Sequence, residues 1–243
     1  MADLVELLIQ AGSDADRELI EKALASACGR SQRPEVCAPT VLGAIKRATI
    51  PVRCALLRVA GRIGGPEALR ELEAASRDAD AAVQDAAIRT LAEAGGLDAA
   101  PHLLELSKQT PNLRHRLMAL RGYWRLVDLA ENRSADDRLK MCETGLAACR
   151  RAEETKLGLA ELAKVPHPKA LGLVLPLLED NTVRAEAALA AVQISRAVSG
   201  AHRTEATAGL NRVLAVVNDA GLRQQAAAVL KKIEEQADYV TAW

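Results

Sequence analysis

The sequence predicts an all-α protein built from helix pairs repeated in series, and three observations carry that prediction. A helical apolar stripe recurs roughly every 30 to 40 residues. Three of its six copies are followed by an explicit Gly or Pro stop. Residues that fill β-sheets are scarce: the 243 residues include two Trp, two Tyr and no Phe, against 48 Ala and 35 Leu. A pleated sheet face is filled by aromatic and β-branched side chains, so sandwiches and barrels are excluded. Ala does the opposite job, letting helices approach closely at no side-chain entropy cost.

Taken in order, the first helical start is Asp14, a side chain able to cap free backbone N–H groups. The clearest unit begins at Val52-Arg53, with apolar residues at 52, 55, 56, 59, 60 and 63, the stripe of a helix packed on neighbours. It stops at Gly64-Gly65-Pro66, where Gly supplies a left-handed cap and Pro suits the next first turn. The second unit starts at the cap Asp80, runs through Val83-Gln84 and stops at Gly95-Gly96. The third begins at Leu113-Arg114. Residues 130–135 form the longest polar connection, read as an inserted loop before the cap Ser134. The fourth unit runs from Glu154 to the stop Pro166-His167-Pro168. Asn181 and Asn218 are read as the caps for the last two units, Val183-Arg184 and Leu222-Arg223.

About fourteen helices and no strands are expected, forming a right-handed α-solenoid of about six to seven helix pairs. It occupies residues 1–236 as one domain. The last helix reads through Gln236; residues 237–243 (Tyr239, Val240, Thr241 and Trp243 among them) favour extended structure and read as a tail or the start of a linker.

The Asp/Pro-x-x-Val-Arg-x-x-Ala-x-x-x-Leu pattern resembles HEAT repeats of the armadillo-type solenoid superfamily. The signature falls on Val52-Arg53, Val83-Gln84, Leu113-Arg114, Val183-Arg184 and Leu222-Arg223, and the fourth unit departs from it with Glu154-Thr155. The resemblance implies a rigid scaffold for protein interaction. More narrowly, residues 118–127 and the closing residues 233–243 are similar to HEAT segments inside large multidomain proteins of planctomycete-type bacteria. That likeness implies a module of a longer, extracytoplasmic polypeptide.

Function classes narrow by charge and motif. Lys and Arg number 32, as do Asp and Glu, so the formal net charge is zero. That leaves no electrostatic footprint for nucleic acid or anionic membrane. No apolar run reaches ~18 residues, and residues 1–30 lack a signal-peptide profile. Five cysteines and four histidines show no metal-ligand spacing, so neither a metal nor a cofactor is expected. Cys28 and Cys37 either pack as small hydrophobes or bridge across a helix turn. No catalytic motif occurs, and the adjacent pairs Asp136-Asp137 and Glu153-Glu154 read as first-turn charges.

Two sets of residues remain. Arg53, Arg114, Arg184 and Arg223 form a structural ladder, expected to donate to carboxylates or carbonyls in adjacent repeats. Arg114, Met118, Arg121 and Arg125, spaced i, i+4, i+7 and i+11, form one stripe suited to an acidic protein surface, a carboxylate or a phosphate. Leu113, Leu117, Leu120, Trp124 and Val127 are the expected buried stripe opposite. The leading expectation is a non-catalytic interaction module whose partner is a protein or a neighbouring domain. The alternatives are a nucleic-acid-handling enzyme like the HEAT-like alkylpurine DNA glycosylases and a chromophore-handling protein of the phycobilisome lyase type.

Overall fold

The computed structural model describes residues 1–31 and 34–241, with side chains for 1–30 and 37–236. Among the described residues it is all-α, an α-solenoid architecture of fourteen α-helices and two short 3-10 segments, with no strand. The chain divides into two compact units, Met1–Leu126 and Val127–Trp243.

The first unit holds α1 (Ala2–Gln10), α2 (Asp14–Ser31), α3 (Pro34–Ile45), α4 (Ile50–Ile63), α5 (Gly65–Ala75), α6 (Ala81–Ala94) and α7 (Ala100–Gln109). α8 (Leu113–Leu129) belongs to it as far as Leu126. Helices α2, α4 and α6 pack side by side, backed by α3 and α5. α4 buries Val52, Ala55, Leu56, Val59 and Ala60 as its stripe predicts, and also Leu57 and Gly61. The face is wider than a surface helix needs because α4 meets neighbours on several sides. Gly64 and Gly65 take φ of 69° and 83°, so α5 starts directly at the end of α4; only glycine adopts these angles without strain.

The Gly95 stop works differently. Its φ is −58°, so no left-handed turn is made. Glycine is required there for space, since a Cβ would lie 2.4 Å from the Leu91 carbonyl oxygen.

The second unit continues with α9 (Ala135–Ala148), α10 (Ala152–Leu162), α11 (Lys169–Val174), α12 (Arg184–Val198), α13 (Arg203–Val216) and α14 (Ala220–Thr241). Here α12 is the centre, touching α10, α11, α13 and α14. α11 ends after six residues and continues as a 3-10 segment, Leu175–Glu179, with Pro176 at its start. α14 runs past Gln236 to Thr241, where extended chain is expected from the sequence. The placements of Tyr239 and Trp243 lie outside the described side chains.

Helix starts follow capping chemistry with small shifts of register. Asp80 and Ser134 cap as expected, accepting from Ala82 and Val83 N and from Asp137 N. Elsewhere the neighbouring residue does the work. Ser13 rather than Asp14 accepts from Asp16 N, and Asp219 rather than Asn218 accepts from Leu222 N. Both pairs offer two capping side chains in succession, and composition alone does not rank them. Before α12 neither Asp180 nor Asn181 caps the helix: Val183 is its N-cap residue with no side-chain cap, and Asp180 holds the preceding turn by accepting from Thr182 N.

Candidate functional site

Sequence chemistry first fixes how α8 begins. Pro111 cannot continue a helix, and the Asn112 carboxamide accepts from Arg114 N (2.9 Å) and His115 N (3.3 Å) as its cap. The rotation of α8 is set by Gly122. A Cβ there would meet Ala92 Cα at 2.6 Å and Ala92 Cβ at 2.7 Å, so α8 turns its smallest residue onto α6 and the backbones come close. His115, Arg116, Ala119, Leu120, Tyr123 and Trp124 are buried as a result. The Tyr123 and Trp124 rings pack edge to face, 5.4 Å apart at 72°.

This corrects the expected buried stripe at its N-terminal end. Leu113 is 50% exposed and Leu117 half-buried. The backbone contact at Gly122 outweighs the side-chain periodicity that would have buried them.

The displaced leucines line a groove of about 870 Å³ between α6 and α8. Arg89, Ala92 and Glu93 form one wall, while Leu113, Arg114, Leu117, Met118, Arg121, Gly122 and Arg125 form the other. All four residues of the predicted stripe (Arg114, Met118, Arg121 and Arg125) are there. Their freedom differs. Arg125 donates Nε to Ala92 O (2.7 Å) and Nη2 to Gly95 O (2.6 Å), tying down the end of α6. Burial pulls its pKa below the usual arginine value. Arg89 pairs with Asp85 (3.4 Å) and Glu93 (3.7 Å). Arg114 reaches Asp85 at 3.5 Å, beside His115 Nε2 at 3.4 Å from the same oxygen. Arg121 is exposed and makes no ion pair among the described residues.

The arginines of the ladder divide: Arg53 reaches a carboxylate in the next helix pair, as the sequence reading expects, while Arg184 and Arg223 turn to their own pair. Arg53 donates to Asp78 at 2.6 Å, linking α4 to the turn after α5. Arg184 donates to Leu178 O (2.6 Å) and Glu179 O (3.3 Å), and Arg223 to Leu214 O and Val217 O. These are carbonyls at the end of the preceding helical segment in the same pair, not in an adjacent repeat as the sequence reading expects. Gln84 does the same to Ser76 O (3.2 Å), and Arg17, which the repeat comparison missed, to Ala11 O (3.0 Å). The second helix starts where the first leaves its carbonyls free, and a long donor near its start satisfies them. Arg114 has no such role; it faces the groove.

Other chemistry-bearing groups serve the packing. Ser76 Oγ donates to Glu73 O (2.7 Å) and lies 2.9 Å from His102 Nε2. With that proton committed, Ser76 accepts from Nε2–H, and His102 Nδ1 accepts from Arg77 at 3.4 Å. The proton order is opposite to that of a base activating a serine, and it ties α5 to α7. Burial lowers the His102 pKa from 6.5. In the second unit Glu154, only 2% exposed, accepts from Arg150 N (2.7 Å) and Arg151 N (3.2 Å) and starts α10. His167 joins Asp136 (3.0 Å) to Lys169 N (3.1 Å). Cys28 and Cys37 are buried and unbridged, and burial beside Cys37 pushes the Cys28 thiol up to about 12. No group of three or more potential metal ligands converges among the described residues. No described helix is long and apolar enough to cross a membrane.

Comparison with known proteins gives one family match. Residues 38–122 match the model for HEAT repeats, a span inside the first unit that ends at the groove. No curated protein matches the chain. Among solved structures, an engineered protein is similar over 96% of this chain and 68% of its own, at 19% identity and a TM-score of 0.47. A second engineered protein is similar over 96% of both chains, at 18% identity and a TM-score of 0.36. The complex of CpcE and CpcF of phycocyanin lyase from Nostoc sp. PCC7120 is similar over 96% of this chain and 94% of that one, at 15% identity and 0.40.

Proposed function

We propose that this chain is a non-catalytic scaffold that docks a protein partner, or a neighbouring domain of a longer polypeptide, in the groove between α6 and α8. The observation that carries the reading is that groove. It joins an apolar strip of Leu113, Leu117 and Met118 to exposed arginines on a backbone held rigid by the Gly122–Ala92 contact. Stacked helix pairs offer a long preformed surface, and binding to it spends little on ordering. The match of residues 38–122 to HEAT repeats supports the scaffold reading. No aromatic side chain lines the groove, so a base has no ring to stack on, and the DNA-handling alternative gains nothing from it.

The test is site-directed photocrosslinking in cells, with a benzophenone amino acid at Leu113 and, as control, at Leu189 of the second unit, which is also exposed. The expected result is a single defined adduct, identified by mass spectrometry, from Leu113 alone, lost in the Met118→Glu background. Equal adducts from both positions, or none from either, would contradict the reading.

A further inference from the structure

In a chain of zero net charge, the α6/α8 groove holds a local surplus of cations. Four arginines line it against one acid, Glu93, with Asp85 behind them. Arg125 and Arg89 are committed to α6, through its carbonyls and through Asp85 and Glu93. The two arginines left for a ligand are Arg121, which has no ion pair among the described residues, and Arg114, whose contact to Asp85 is long at 3.5 Å.

We propose that the groove receives an acidic amphipathic helix of the partner protein. Its apolar face lies on Leu113, Leu117 and Met118, and two carboxylates set two turns apart meet Arg114 and Arg121. This rests on the reading of the groove as a docking surface and adds the chemistry of the occupant. Arg114 and Arg121 stand seven residues apart on one helix, about 10.5 Å along its axis. A second helix lying along α8 presents Glu or Asp at i and i+7 with the same pitch. The residues between them, at i+3 and i+4, fall over Leu117 and Met118, where they must be apolar. Methionine adapts to varied apolar shapes, and guanidinium groups take carboxylates in two-point contacts. The mode is helix-in-groove recognition with charge setting the register. A phosphate backbone would satisfy the arginines and leave the apolar strip facing water, so the protein helix fits better.

The experiment measures fluorescence anisotropy with a labelled alanine-based helical peptide of about 18 residues. It carries Glu at i and i+7 and Leu at i+3 and i+4. Three further probes replace both Glu by Lys, replace both Leu by Ser, or substitute a single-stranded DNA of similar length. The Glu/Leu peptide is expected to bind at least about tenfold tighter than either peptide variant, with affinity falling as salt rises. Arg114→Glu with Arg121→Glu should weaken it by about tenfold or more, while Arg196→Glu, exposed on α12, leaves it unchanged. Circular dichroism melts confirm that the variants fold. Equal binding of the Lys peptide, no loss in the double variant, or tighter binding of the DNA would overturn the proposal. The crosslink at Leu113 reads docking independently of charge: an adduct there with no preference for the Glu peptide removes the acidic helix and leaves the scaffold reading standing.

Discussion

The α6/α8 seam of the first unit and the α10/α12 seam of the second are built by opposite means. In the first, Gly122 sits against the Ala92 backbone, and the flanking long side chains are pushed out to wall a groove. In the second, Lys156 on α10 pairs with Glu186 on α12 at 3.3 Å, so the seam is spanned by side chains. Close backbone contact makes a concave surface; a side-chain bridge occupies the space such a surface would need. A functional face in a helix-pair stack is therefore sought where small residues meet, even though the small residues bind nothing.

Core packing gives the largest expected effect and shows whether the seams differ beneath the surface. Leu120→Ala in α8 and Leu159→Ala in α10 remove fully buried side chains. Each should cost about 2–5 kcal/mol in chemical denaturation. Arg121→Ala, on the exposed face, should cost under about 0.5 kcal/mol. Equal losses at Leu120 and Arg121 would mean that α8 is rotated from the orientation described.

The glycines sharpen the contrast. Gly122→Ala places a methyl group against backbone atoms of Ala92 and should destabilise by about 1–3 kcal/mol. Gly209→Ala, in α13, meets side-chain rather than backbone atoms: Ser195 Oγ at 3.1 Å and Leu171 Cδ2 and Cδ1 at 3.3 and 3.5 Å. It should cost clearly less. Similar penalties at both positions would remove the distinction drawn between a backbone contact and a side-chain one.

Much of the fold was legible because it rests on local rules. The stripe at 52–63, the glycine pair at 64–65 and the caps Asp80 and Ser134 each state their role within a few residues. The four groove residues on α8 were legible for the same reason, being one helix face. Arg89 and Glu93 were not, since their place in the groove depends on which part of α6 meets α8. The N-terminal end of α8 escaped as well: leucine periodicity placed Leu113 and Leu117 inside with Leu120, Trp124 and Val127, while Gly122 in the middle of the helix was the available signal that the first two are pushed out. Glu154 stood out as a first-turn charge and as a departure from the Val-Arg pattern; its burial was not legible and follows from the backbone N–H groups it must cap.

A smaller effect separates the helix-pair junctions. Arg184→Ala leaves the Leu178 and Glu179 carbonyls without their donor and should cost about 0.5–1.5 kcal/mol in denaturant unfolding. No measurable change would show that water replaces the arginine fully. The smallest effect is the pH response of His102. Its folded-state pKa lies below 6.5, so the fold holds the neutral ring. Its contribution is present above pH 6.5 and is lost as pH falls from there through the folded-state value. Between about pH 7.5 and pH 5 the urea midpoint should fall more for the parent chain than for His102→Asn. An identical fall in both would place the pH sensitivity elsewhere.

Amide hydrogen exchange, measured with and without the Glu/Leu helical peptide, reads out whether the α6/α8 groove is the docking surface. The peptide is expected to slow exchange in α6 and in the first-unit part of α8, around residues 89–93 and 113–125, and to leave α10 and α12 unchanged. Protection centred on α10 and α12, or none in α8 at a saturating peptide concentration, would contradict the docking reading.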